Sequence, residues 1–162
     1  MGQYHMPVNI DKREYLNPHL FGNGLKMLEW GTGGGTVAGL TVLLACSHNR
    51  GGGDLHGDVG DIGGRWAGDR IIVLGDYTEP GDPGTDSLYE MTKAYAKVGI
   101  FLDPEDSVNP FSRPANVHPF TFVDEHFTDI SRQVIEHLRQ DVYLASDFDN
   151  NPFYQRMLEK EA

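Results

Sequence analysis

A single cysteine, Cys46, stands in the 162-residue chain. No disulfide can form within it, so its stability needs another source, and a reducing, cytoplasmic setting is expected. The apolar run around Cys46 predicts a buried, unactivated thiol. Cations are scarce too: 13 Lys and Arg face 24 Asp and Glu, a formal net charge of -11. A field of that sign repels phosphate backbones and anionic lipid, so neither nucleic acid nor a membrane surface is an expected partner. It suits plain solubility, a bound cation or a basic protein partner. Long apolar runs are missing as well. The longest, residues 37–46, is about half of what a membrane helix needs. Residues 1–10 have no basic region followed by an apolar core, so no secretory leader is expected, and Met6 occupies the place where a myristoylation signal has Ser or Thr.

Catalytic signatures are equally thin. No serine lies in a Gly-x-Ser-x-Gly elbow, and there is no His-Glu-x-x-His or paired-cysteine motif. His5, His19, His48, His118, His126 and His137 share no spacing. Asp124-Glu125-His126 reads equally well as an acid–base group or as a surface cluster. The sequence assigns no catalytic residue, cofactor or resident metal.

What is present fits one α+β domain: a small, mostly antiparallel sheet packed with three to four helices, one of them buried. The domain is expected over residues 1–145, with a C-terminal helix or tail over 146–162. Aromatic and β-branched residues at 3–9 and 13–16 flank Ile10-Asp11-Lys12 and predict a hairpin. Residues 25–30 are too short to assign by period. Residues 36–46 predict a central apolar helix capped by Thr36, with a buried strand as the alternative. Residues 70–74 predict a strand buried on both faces. Leu88, Met91, Tyr95 and Val98 form one stripe of a helix opened by Asp86 and stopped by Gly99. Residues 103–119 read as an extended connection, 120–123 as a short strand, and Thr128 as the cap of a helix with Ile130, Val134, Ile135 and Leu138 on one face. Asn151-Pro152 opens a last helix.

Three segments are candidates for chemistry. Gly31 to Thr36 precedes an apolar helix and presents the backbone amides that bind anions, yet it matches neither nucleotide motif: Thr36 stands where a dinucleotide fingerprint needs glycine, and no Lys-Ser/Thr pair follows. A tight turn for close packing explains it as well. Arg50-Gly51-Gly52-Gly53-Asp54-Leu55-His56-Gly57-Asp58 carries ligand types for a divalent cation, but Arg65 sits where an EF-hand needs its terminal Glu. A solvated acidic loop is the plainer alternative. Arg65-Trp66-Ala67-Gly68-Asp69-Arg70 leads into the best strand, and Gly75-Asp76-Tyr77 leaves it. Here Arg65 or Arg70 is suited to clamp an anion and Trp66 to stack on a planar group, while an internal Arg–Asp pair and a core Trp are the structural alternative.

These stretches also carry a resemblance. Met1-Gly2-Gln3-Tyr4, Val8 to Pro18, Gly24-Leu25-Lys26, Arg50 to Asp54, Gly64 to Arg70, Gly75-Asp76-Tyr77 and Phe127 to Ser131 resemble a group of small bacterial and fungal proteins without an assigned activity. The resemblance spans the chain to about residue 140 and implies a self-contained domain; it supplies no functional residues.

The leading functional expectation is a binding protein for a small anionic or polar ligand, using Arg50, Asp54, Arg65, Trp66, Asp69, Arg70 and Asp76. The alternative is an acidic interaction or inhibitor-type protein for a basic partner. The third is a metal-dependent hydrolase using Asp54, His56, Asp58, Asp69 or Asp76.

Overall fold

A computed structural model describes residues 2–32, 34–47, 60–102, 118–141 and 145–160. The expected hairpin forms from β1 (His5–Asn9) and β2 (Glu14–Tyr15), antiparallel with Asn9 opposite Glu14. Its turn is closed by the Asn9 side chain, whose Oδ1 accepts from the Lys12 amide at 2.8 Å. Arg13 then takes a left-handed conformation, φ 54°. β3 (Ile71–Gly75) pairs antiparallel with β1, and β4 (Thr128–Asp129) pairs parallel with β2, giving the order β3-β1-β2-β4. A proline in a central strand removes a ladder donor. Pro7 is tolerated because its missing N–H points past the end of β2, where only the Leu16 amide is bonded, to the Pro7 carbonyl at 3.0 Å.

The sheet separates two cores. Met6, Val8, Tyr15 and Leu74 share one face and pack against Leu88 of α3 (Asp86–Leu102) and Phe122 and Val123 of α4 (Pro119–His126). On the other side Leu16, Phe21, Ile62 and Trp66 join Leu43 of α2 (Gly34–Leu44), Val134 and Leu138 of α5 (Ser131–Leu138), Phe148 of α6 (Ala145–Asp149) and Tyr154 of α7 (Pro152–Glu159). The chain beyond residue 145 therefore contributes to the same core as the Phe21 loop, and Asn151 Nδ2 adds a bond to the Leu20 carbonyl at 2.7 Å. Asn151 caps α7 with Pro152 in its first turn, as the sequence leads one to expect.

Several expectations are corrected. Residues 25–30 resolve as a bridge at Lys26 and the short helix α1 (Met27–Gly31). α2 starts at Gly34, and the residue that caps it is Asn23: its Oδ1 accepts from Thr36 N at 3.0 Å and Thr36 Oγ1 at 2.8 Å. β3 is not buried throughout: Val73 is 45% exposed, while Ile71 on the same face packs partly against the second core. α3 runs through Gly99 to Leu102, because a glycine inside a helix costs only about 1 kcal/mol. Residues 120–123 are helical: Pro119 supplies a helical φ, and His118 Nδ1 accepts the Phe120 amide. Thr128 is a strand residue, its amide donated to Arg13 O at 2.9 Å, and Asp129 Oδ1 takes the Ser131 amide instead. Cys46 is exposed, since α2 has ended two residues earlier and no element covers the thiol among the described residues. Residues 49–59 and 103–117 lie outside the described part. No helix among the described residues is long and apolar enough to cross a membrane.

The two adjoining glycines that open α2 differ in their surroundings. A Cβ on Gly35 would stand 2.4 Å from the Phe21 carbonyl oxygen, whereas a Cβ on Gly34 would meet nothing within 4 Å among the described residues. Gly34→Ala is therefore expected to raise stability by a few tenths to about 1 kcal/mol, the usual helix gain. Gly35→Ala is expected to lower it by roughly 1–3 kcal/mol through overpacking against backbone. Urea denaturation of the two variants checks the opposite signs.

Candidate functional site

The segment from Arg65 to Arg70 is held between two elements. Its start hangs on the C-terminus of α2: Gly64 N donates to Val42 O at 2.9 Å and Trp66 N to Leu43 O at 2.8 Å, satisfying carbonyls that a helix end leaves open. Gly64 is at φ +72°, and a Cβ there would come within 2.7 Å of Ala45 O, so glycine is required. This tether aims the segment at the β1–β2 hairpin.

There each charged side chain finds a partner. Glu14 is the deepest of them, its side chain 8% exposed. Arg65 Nε reaches its two oxygens at 3.2 and 3.0 Å, Arg65 Nη2 reaches Oε1 at 2.5 Å, and the Trp66 indole Nε1 donates to Oε2 at 2.8 Å. Asp69 pairs with Lys12 and accepts from Asn9 Nδ2 at 2.8 Å. Arg70 binds Asp11 through its amide and its Nε, both at 2.8 Å, and reaches Ser87 Oγ through Nη1 at 2.9 Å. Asp76, one residue beyond β3, accepts the Tyr4 amide at 2.9 Å.

Of the residues the sequence puts forward, Arg65, Trp66, Asp69 and Arg70 thus gather on one feature, the hairpin. Asp76 sits at the other end of β3, and Arg50 and Asp54 lie outside the described residues, as do His56 and Asp58. Trp66 has no exposed surface, so its ring has no open face for stacking. Of the Gly31–Thr36 segment, Gly35 packs closely on Phe21 and Thr36 is bonded by Asn23. Among the described residues no three His, Cys, Asp or Glu side chains are grouped to hold a metal.

Sequence reasoning missed the hairpin's own contribution, Asn9, Asp11, Lys12 and above all Glu14. The available signal was Glu14 in a strand whose neighbour Tyr15 must face a core. A side-chain period of two then sends Glu14 to the opposite side, where a second core demands a cationic or N–H partner.

Burial alone would raise the Glu14 carboxyl, but the hydrogen bonds from Arg65 and Trp66 outweigh it and hold the group below its ordinary 4.5. Hydrogen bonds from Arg70 hold Asp11 low, and those from Lys12 and Asn9 hold Asp69 low. A depressed folded value means that the ionised group adds stability above the ordinary value, and this is lost as pH falls through the folded one. Stability is therefore expected to decline as pH drops below about 4.5. Glu14→Gln, which cannot serve a fork and an indole N–H at once, is expected to cost about 2–3 kcal/mol near neutrality and to flatten that acid limb. Urea midpoints measured across pH 3 to 7 check both effects.

Comparison with protein-family profiles, with curated proteins and with solved structures returns no match. What this chain does is therefore inferred from its own geometry and charge.

Proposed function

We propose that this protein binds a basic protein partner through an acidic surface centred on residues 76–90. The supporting observation is the charge along the chain: between Arg70 and Lys93 there is no Lys or Arg, while Asp76, Glu79, Asp82, Asp86 and Glu90 all fall there. Glu79, Asp82, Asp86 and Glu90 are exposed. Outside that stretch Lys12, Arg65, Arg70, Arg132 and Arg139 each pair with a carboxylate of the same chain. An anionic small ligand would have to displace Glu14 from Arg65 or Asp11 from Arg70 before either guanidinium could receive it. The charge balance thus favours a cationic partner.

The loop is also fixed in place, which lowers the entropy lost on binding. Thr78 Oγ1 bonds the Gly75 carbonyl at 2.7 Å, and the Glu79 amide reaches Asp82 Oδ2 at 2.8 Å. The Thr78 carbonyl accepts from Tyr89 OH at 2.8 Å and meets His118 Nε2 at 2.9 Å. His118 Nδ1 already accepts the Phe120 amide, so Nε2 is the ring nitrogen placed to donate to the Thr78 carbonyl. Beside the loop, Tyr77 is 57% and Tyr4 47% exposed, the kind of amphipathic rings that anchor interfaces.

The test titrates the labelled protein with an oligolysine peptide at low ionic strength and follows amide shifts. Shifts concentrated on residues 76–90 and abolished by 0.5 M salt are expected. Glu79→Lys together with Asp86→Lys is expected to weaken binding by about tenfold or more, as reversal of two rim charges should. Shifts spread evenly over the molecule, or affinity indifferent to the reversal, would overturn the reading. Long-range nitrogen–proton spectra of His118 are expected to show the Nε2–H form near neutral pH; the Nδ1–H form would remove the loop's anchor as described.

A further inference from the structure

β3 is an edge strand, and the direction of its backbone groups follows from the ladder. The Ile10 amide donates to Arg70 O at 3.0 Å and the Asp76 amide to Tyr4 O at 3.0 Å. With Met6 opposite Leu74 and Val8 opposite Ile72, residues 70, 72, 74 and 76 are the ones that face β1. Residues 71, 73 and 75 therefore turn their N–H and C=O groups outward. At Gly75 both groups are met by Thr78, whose Oγ1 accepts the amide at 3.2 Å and donates to the carbonyl at 2.7 Å. At Ile71 and Val73 no described residue does the same.

Edges of this kind are normally blunted by charge, proline or a bulge. Ile71-Ile72-Val73-Leu74-Gly75 has no charged residue and no proline, and Val73 is 45% exposed. The acidic loop leaves the strand at Asp76 and returns to its start. Gly84 lies against Ile72, where a Cβ would come within 3.0 Å of Ile72 Cγ2, and Ser87 reaches Arg70. Backbone groups with no partner among the described residues thus lie on the strand that the loop carrying Glu79, Asp82 and Asp86 leaves and returns to. A second copy of this chain is a poor occupant, since it would bring the same carboxylates against itself at a net charge of -11.

We propose that the outer edge of β3 accepts an extended basic segment of the partner as an added strand, main-chain bonds at Ile71 and Val73 supplying affinity and cationic side chains lying over the acidic loop. This rests on the acidic-surface reading above and gives it a binding mode.

Two capped octapeptides of equal charge separate the contributions, one alternating Lys and Val, the other alternating Lys and Pro. The second matches the first in charge but has only half its backbone donors and does not pair as a strand. The Lys–Val peptide is expected to bind about tenfold more tightly, the ratio one or two net hydrogen bonds provide. It is also expected to slow amide exchange at Ile71 and Val73, which in the free protein exchange faster than Ile72 and Leu74. Val73→Pro removes one outward donor without touching the β1 ladder, so it is expected to shrink the difference between the peptides. Should that variant fail to fold by circular dichroism, protection in the parent protein decides the question. Equal affinity for both peptides with no protection at Ile71 and Val73 overturns strand addition and leaves the acidic-surface reading standing. Binding of neither peptide at low ionic strength overturns both.

Discussion

The carboxylate of Glu14 is the contact on which the rest of the structure depends. It lies on the side of the sheet opposite Tyr15, inside the larger core, where an unpaired charge would be prohibitive. Arg65 and the Trp66 indole neutralise and saturate it. In doing so they fix the 65–70 segment against a hairpin about fifty residues earlier in the chain. The same segment closes the C-terminus of α2, so sheet, helix and turn share one polar joint. A buried pair of this kind is a modest source of net stability, but removing either half is costly because the other is left without a counter-charge. Its role is to select one arrangement of hairpin and turn over others of similar hydrophobic content.

Around that joint the apolar packing divides cleanly. One face of the sheet carries α3 and α4; the other carries α2, α5 and the two C-terminal helices. Two cores with a sheet between them explain why every residue of β1 is buried despite its place at the start of the chain. They also explain why Asn9 and Glu14 are matched by partners from the 65–70 segment. The cations used for this matching already carry carboxylate partners, and the chain keeps a formal net charge of -11.

Much of this frame was legible in the residues. The hairpin around Ile10-Asp11-Lys12, the strand before Gly75, the helix begun at Asp86 and the Asn151-Pro152 start all appear, because each rests on local turn or cap chemistry. The misreadings have a common cause in partners distant along the chain. Phe120-Thr121-Phe122-Val123 has strand composition, but the preceding His-Pro pair commits it to helix. Thr128 has cap chemistry, but the Arg13 carbonyl claims its amide first. The concentration of Arg, Trp and Asp at 65–70 was visible, whereas the carboxylates that occupy it lie on a hairpin fifty to sixty residues away, and no spacing rule connects them.

The place of β1 has a consequence for biosynthesis. It precedes the other described strands in the chain, yet the sheet around it is completed only from far downstream. Its neighbour β3 begins at residue 71, and the parallel partner of its hairpin lies at 128–129. The buried glutamate must likewise wait for Arg65. Most of the chain is therefore synthesised before the central strand can be enclosed on both faces. An acidic nascent chain that repels its neighbours on a crowded polysome is well suited to that delay.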